Sequence, residues 1–300
     1  MDIRILKYFL AIVKEENIIK AAQALHITQP TLSRQLMDLE NELNCKLFNR
    51  SNRKITLTNE GFILYKRAQE IITLVDKTTT ELKNIPNEVQ GDIYIGAGES
   101  DTIRLLAKTM YKIQQNYPNI RFHIISGNID DLSYRLNNGI LDFCIFFEAP
   151  NLEQYNYLKL PFKDNWGVIM RKDSHLCKEK FILAKMLTDL PLIVSSQSLH
   201  NNELTGWLNK DIKLLHIVAT YNLIYNATLM VEEGLGYALA FDKLINVYNH
   251  DKLCFRPLFP KLEANIALAW KKHQTFSKPA QLFLDTLQQD LINHKISCNK

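Results

Sequence analysis

The stretch that most constrains this chain runs from Asn17 to Leu43, where two short runs of helical periodicity are separated by only His26, Ile27 and Thr28. After Glu15 and Glu16, Asn17 offers a side chain that can cap a helix over 18–25, in which Ala21 and Ala22 let another helix approach closely. Thr28 is placed to cap the next helix, which opens on Gln29-Pro30. Proline costs little there because first-turn N–H groups have no intrahelical partner. Leu32, Leu36, Leu39 and Leu43 mark the buried face of that helix. Upstream, Leu6, Phe9, Leu10 and Val13 give an opening helix one apolar stripe to bury against its neighbours.

The opposite face of the third helix shows Gln29, Thr31, Ser33, Arg34, Gln35 and Asp38, a set of donors and acceptors suited to base edges and phosphates in a major groove. Any surface helix has a polar face, and on composition this one reads as solvated. Its surroundings reverse that reading. The segment 45–58 has the pattern of a strand, a turn at Ser51-Asn52 and a second strand, as in a wing, and it carries Lys46, Arg50, Arg53 and Lys54 with no acid among them.

From Ala21-Ala22 through the run Gln29, Pro30, Thr31, Leu32, Ser33, Arg34, Gln35 and Leu36, then Leu39-Glu40, Leu47-Phe48, Arg50, Arg53 and Leu57-Thr58-Asn59-Glu60-Gly61, the chain resembles the LysR family of bacterial transcription regulators. It departs from the family pattern at Asn44, where glycine usually follows the recognition helix, although asparagine tolerates a left-handed backbone well. It departs again at Asn17-Ile18, where serine followed by an aromatic or aliphatic residue is commoner. The resemblance implies an α/β multidomain chain: a mostly α winged helix-turn-helix over 1–58 (helix-turn-helix about 18–37), a linker helix and hinge over 59–90, and an effector-binding domain over 91–300. The last would be a two-lobed α/β domain resembling periplasmic binding proteins, with lobe I at about 91–161 and 262–300 and lobe II at about 162–261. It further implies that Gln29, Pro30, Thr31, Ser33 and Arg34 meet the groove of double-stranded DNA. Lys46, Arg50, Arg53 and Lys54 would meet phosphates or the minor groove.

From Asn59 to about Asn84 the only glycine is Gly61 and there is no proline, while Leu64, Ala68, Ile71, Val75 and Leu82 recur in steps of three and four. Lys66, Arg67, Glu70, Lys77 and Glu81 are left for solvent, so a partner helix must cover the seam, from the same chain or from a second copy, of which the second copy is preferred. Paired recognition helices reading half-sites about one helical turn apart gain affinity and symmetry together, so an interrupted inverted repeat is the expected target. In the family such dimers pair again into tetramers. A hinge is expected over 86–90, punctuated by Pro86 and Gly91.

Beyond Gly91, apolar strand patterns at 92–97, 121–125, 141–147, 166–170, 192–195, 237–241 and 266–270 alternate with helical segments, an α/β signature. Such folds bind ligands at the carboxyl ends of strands. Those ends carry Gly98 to Thr102, Ser126-Gly127-Asn128 and Ser195 to Ser198, so Ser100, Thr102, Asn128 and Ser196 are the candidate effector contacts, against the plainer reading of loop serines as turn or cap residues. Glu99 and Asp101 beside them argue against a simple anionic ligand. The domain crossings are expected near Pro161 and Lys261. Gly96-Ala97-Gly98 follows a strand, but Asp101 stands where the third glycine of a dinucleotide loop belongs and no P-loop lysine follows. Gly234 and Gly236 read as a helix stop and strand entry.

Three hundred residues with 46% hydrophobic content support more than one compact unit, and 36 Lys+Arg against 32 Asp+Glu leave any electrostatic signal to be local. The five cysteines, Cys45, Cys144, Cys177, Cys254 and Cys298, show no paired ligand spacing and read as reduced thiols of a cytoplasmic protein. No run approaches ~18 uninterrupted apolar residues, so neither export nor a membrane span is expected. No G-x-S-x-G or H-E-x-x-H occurs, and Ser195, Ser196 and His200 form a nucleophile and base only on paper. No catalytic residue, metal or cofactor is therefore assigned, only an unidentified small-molecule effector. The mechanism implied by the family is an effector-driven shift in the spacing of the DNA-binding heads that alters promoter bending and recruitment of RNA polymerase. An effector-independent DNA-binding organiser and an enzyme fused to a DNA-binding domain remain the alternatives.

Overall fold

The computed structural model describes residues 1–50, 55–83, 89–147, 152–200, 202–247 and 250–298, which fall into two compact units, Met1–Pro86 and Asn87–Lys300. In the first, helices α1 (Ile3–Glu15), α2 (Ile18–Ala24) and α3 (Gln29–Glu42) precede an antiparallel pair, β1 (Phe48–Arg50) and β2 (Ile55–Leu57), and a long helix α4 (Asn59–Lys83). Each of the first three helices begins at a side-chain cap that satisfies otherwise orphaned N–H groups. Asp2 accepts from Ile5 N at 2.9 Å, Asn17 from Ile19 N at 2.8 Å and Lys20 N at 3.1 Å, and Thr28 from Thr31 N at 3.4 Å. Asn44, just past α3, takes the left-handed conformation at φ 50°. Leu6, Phe9, Ile12, Leu32, Leu36, Leu39 and Leu47 form the core.

Three expected core positions differ. Leu43 caps the end of α3 and is 37% exposed, because the chain turns away there. On α1, Ile12 is fully buried while Leu10 and Val13 lie half-buried at the edge of the stripe. The expected turn at Ser51-Asn52 lies outside the described residues.

The first part of the seam on helix α4 is covered within the chain, one of the two arrangements its periodicity allows. Ala68 is fully buried, and Leu64, Tyr65, Ile71 and Ile72 pack against the N-terminal core, so α1 of the same chain covers the first part of the stripe. The reason is geometric. α4 starts directly after β2, which holds its first turns against the helices it follows. Leu82, further along, is 82% exposed.

The second unit contains β3 (Gly91–Ala97), α5 (Ile103–Asn116), β4 (Ile120–Ser126), α6 (Ile129–Asn137), β5 (Phe143–Phe147), β6 (Tyr155–Arg171) and β7 (Leu192–Ser195). It continues with α7 (Asn202–Leu208), β8 (Ile217–Tyr221), α8 (Ile224–Glu232), β9 (Tyr237–Phe241), β10 (Leu253–Pro257), β11 (Glu263–Lys271) and α9 (Lys278–Cys298). The strands line up as β4-β3-β5-β11-β6-β9-β7-β8, with β10 also on β6. Strand β6 is the shared element of two lobes: Tyr155 to Asn165 pair with β11, and Trp166 to Arg171 with β9 and β10. Pro161 lies within β6, and Lys261 lies in the return between β10 and β11.

Each lobe has its own core. Ile93, Ile95, Leu106, Phe143, Leu268 and Phe283 fill the first, to which α9 returns, and Val168, Met170, Leu192, Val194 and Leu239 fill the second. The parallel pairs β3/β4, β3/β5, β7/β8 and β7/β9 place loops at the carboxyl ends of β3, β4 and β7. Among the described residues no helix is long and apolar enough to cross a membrane.

Candidate functional site

The first surface of interest is the exposed face of α3. Gln29, Pro30, Thr31 and Arg34 are exposed and Ser33 is half-buried. Gln29 Nε2 donates to Ser33 Oγ at 2.7 Å, and the hydroxyls of Thr28 and Thr31 are 2.8 Å apart, so two side-chain pairs brace the first turns. Arg34 carries no hydrogen bond or ion pair to another described residue, which leaves a full guanidinium fork presented outward.

Near the end of α3 lies a residue that sequence reasoning left as part of a motif. Glu40 is 2% exposed, accepting from Leu47 N and from Lys46 Nζ at 2.9 Å each. Burial alone would raise its pKa, but the Leu47 amide and the Lys46 ammonium outweigh it and hold the carboxyl below its ordinary 4.5. Lys46 is therefore exposed yet already paired. Thr58 continues the same joint: its hydroxyl donates to Lys46 O at 2.6 Å and accepts from Gly61 N at 2.9 Å. A Cβ at Gly61 would stand 2.1 Å from Leu47 O, so only glycine permits this approach of α4 to the base of the wing. Arg50 ends β1, whereas Arg53 and Lys54 lie outside the described residues.

The second surface lies where the lobes face each other. Ser100 Oγ donates to Asp164 Oδ2 and accepts from Thr102 N at 2.9 Å, tying the loop after β3 to β6. Asn128 is spent as the N-cap of α6, accepting from Asp131 N at 2.8 Å. Ser196 gives both its N–H, at 2.9 Å, and its hydroxyl, at 3.3 Å, to Tyr221 O at the end of β8. Of the four expected effector contacts, the structure thus joins only Ser100 and Thr102 directly. Thr102 Oγ1 is buried and has no hydrogen-bond partner, so it retains unused bonding capacity.

Several groups here take roles that the sequence reading did not assign. Glu99 Oε2 accepts from Ile224 N at 2.6 Å, and Gln197 Nε2 donates to Gly127 O at 3.4 Å, so both bonds run from one lobe to the other. Asp164 is 3% exposed. Its burial raises the carboxyl pKa to about 6, helped by the charges of Asp242 and Asp101 and opposed by the Ser100 hydrogen bond. Asn165 binds Asp242 through N at 3.1 Å and Nδ2 at 2.9 Å. Phe241 bridges Phe147 (5.6 Å between centroids) and Trp166 (4.5 Å), forming an aromatic wall beside the acids. A Cβ at Gly98 would meet the Phe147 ring at 2.9 Å, which explains the small residue after β3 by packing rather than by phosphate binding. Among the described residues no group of three or more His, Cys, Asp or Glu could hold a metal ion.

A three-helix unit with a two-stranded wing, followed by a long helix and a two-lobed α/β domain, defines the class of DNA-binding regulators that carry a ligand-binding domain. Residues 3–62 match the family described as "Bacterial regulatory helix-turn-helix protein, lysR family", and residues 86–292 match "LysR substrate binding domain". The chain belongs to the LysR family of transcription regulators. The HTH-type transcriptional regulator BsdA of Bacillus subtilis is 28% identical over 95% of this chain and 99% of its own. The Hca operon transcriptional activator HcaR of Escherichia coli is 27% identical over 93% and 94%. Among solved structures, full-length CbnR complexed with its target DNA matches with a TM-score of 0.74 at 17% identity, covering 96% of this chain and 99% of that one. HinK of Pseudomonas aeruginosa matches at 0.56 and 23%, covering 97% and 98%.

Proposed function

We propose that the chain regulates transcription as a dimer or tetramer bound to an interrupted inverted repeat, under the control of a small molecule held between the lobes of its C-terminal domain. The observation that carries this reading is the outward face of α3, where Arg34 is free of described partners and Gln29, Thr31 and Ser33 are braced beside it. In this reading Gln29, Pro30, Thr31, Ser33 and Arg34 enter the major groove, while Arg50, Arg53, Lys54 and, through its outer hydrogens, Lys46 hold the backbone. The effector rests against Thr102, Ser100, Asn128 and Ser196, and its binding alters the spacing of the DNA-binding heads and thereby contact with RNA polymerase in the cytoplasm. The role assigns no catalytic residue and no cofactor.

Selection of genomic fragments retained by the pure protein at physiological salt tests this directly. Enrichment of a dyad whose half-sites lie about one helical turn apart is the expected result. Retention without sequence enrichment would overturn it. A second reading, an organiser of DNA with no effector, is favoured by the bonds that already engage Glu99, Ser100, Asn128 and Ser196 within the protein. A metabolite that raises the melting temperature by mass action excludes it.

A further inference from the structure

Four acids gather where the lobes meet, and three of them already have good partners. Glu99 accepts from Ile224 N, Asp101 accepts from Arg104 Nε and Nη2 at 3.1 Å each, and Asp242 accepts from Asn165 N and Nδ2. Asp164 differs. It is 3% exposed, yet its Oδ2 takes a single hydrogen bond, from the Ser100 hydroxyl, and among the described residues its Oδ1 has no donor and neither oxygen has an ion pair. Lys243, just beyond β9, acts on it only through its charge. A buried carboxylate ordinarily collects several donors or a cation, because burial removes the water that would solvate it. Burial raises the Asp164 pKa to about 6, so at pH 7.5 the ionised form still predominates and lacks a counter-charge.

The groups around Asp164 fit the same shortage. Thr102 is 4% exposed, its amide is bonded to the Ser100 oxygen that serves Asp164, and its own Oγ1 is buried with no partner. Beside these acceptors stands an aromatic surface. Trp166 lies two residues along β6 from Asp164 and so on the same face of the strand. It pairs across the sheet with Phe241, whose ring is 4.5 Å from the indole and 5.6 Å from Phe147. The Trp166 Nε1 is also buried without a partner, which leaves one donor in this wall. We infer that the effector of this chain is an organic cation, a protonated amine whose nitrogen donates to Asp164 and Thr102 while its apolar body lies along Trp166, Phe241 and Phe147. The assignment rests on the reading of the C-terminal domain as effector-binding and adds the charge class that reading leaves open. An ammonium supplies in one group the missing donors and the missing charge, and aromatic faces attract a cation as well as an apolar body. A carboxylate in the same place would set a second negative charge against a buried one.

The test titrates the full chain at pH 7.5, by calorimetry, with benzylamine and phenethylamine and with their carboxylate counterparts phenylacetate and 3-phenylpropionate. The amines are expected to bind roughly 10- to 100-fold more tightly than the matching carboxylates. Asp164→Asn, which keeps an acceptor for Ser100, should abolish that preference, and Thr102→Val, which keeps the shape but loses the hydroxyl, should weaken the amines by roughly tenfold. Tighter binding of the carboxylates would overturn the charge class and leave the effector reading standing. Amine binding that Asp164→Asn does not change would overturn the assignment of the site, and absence of heat from both amines at millimolar concentration would overturn the proposal outright. Selection of operator DNA by the same protein is independent of all these outcomes, so the regulator reading is judged separately.

Discussion

The side chain of Glu99 accepts a 2.6 Å hydrogen bond from the backbone N–H of Ile224, the first residue of α8, although the two residues are 125 positions apart and belong to different lobes. The N-cap position of α8, Leu223, has no side chain able to cap it. Glu99 takes over that task from the facing lobe, and its charge is set against the positive end of the helix. The same carboxylate contributes, after burial, to raising the pKa of the Tyr221 phenol. Lobe closure and helix capping are thus one interaction.

Removing that cap should loosen α8 locally. Glu99→Ala is expected to raise the exchange rate of the Ile224 amide, and of those in the first turn after it, by about 5- to 30-fold, equivalent to about 1–2 kcal/mol. Glu99→Gln, which keeps an acceptor but loses the charge, should lie between the variant and wild type. Hydrogen exchange by mass spectrometry over α8 measures both. Unchanged protection in Glu99→Ala would show that the bond does not stabilise the helix.

Glu40 links α3 to the wing, and its lowered pKa sets a direction for acid stability. A carboxylate whose folded-state pKa lies below its unfolded value adds stability that is present above pH about 4.5 and is lost as the pH falls through the folded value. Glu40→Ala should cost the N-terminal unit about 2–3 kcal/mol at neutral pH, because it orphans the Leu47 amide and frees Lys46. The gap to wild type should shrink as the pH drops toward 3. Helicity measured against denaturant at several pH values reports it.

Asp164 works in the opposite sense. Its pKa is raised from 3.8 to about 6, so the folded state favours the protonated acid. The contribution is fully present below about pH 3.8 and is lost as the pH rises through about 6, after which the buried charge costs about 3 kcal/mol. Asp164→Asn, which keeps an acceptor for Ser100, should therefore stabilise the C-terminal unit at pH 7.5 and leave it unchanged near pH 3.5. A melting series that follows the C-terminal tryptophans Trp166, Trp207 and Trp270 tests the crossover.

The two kinds of DNA contact should separate by measurement. Arg34→Ala is expected to lose about 1–3 kcal/mol of discrimination between operator and mismatched DNA. Lys54→Ala should weaken every sequence alike and lower the salt dependence by about one phosphate's worth. Lys46→Ala should do the same and also destabilise the N-terminal unit, since its ammonium already serves Glu40. Equal operator affinity for Arg34→Ala and wild type would remove Arg34 from the groove.

Features whose physics is local could be read directly from the residues. The caps at Asn17 and Thr28, the left-handed turn at Asn44, the apolar stripe of α3 and the strands β7 and β9 all depend on residues within a few positions of one another. The family motif lies in the same short span, which is why the family was legible. Strands β8 and β10 and the first half of β6 were not, because their apolar alternation is weak and their partners are remote in the chain. Which acids matter emerges only once the chain is folded. Glu40 and Asp164 look like any surface carboxylate until folding buries them against the Leu47 amide and the Ser100 hydroxyl, and Glu99 does until the Ile224 N–H of the other lobe meets it. The tertiary structure also decided that α1 covers part of the α4 seam, since periodicity shows that a face must be covered but not by what.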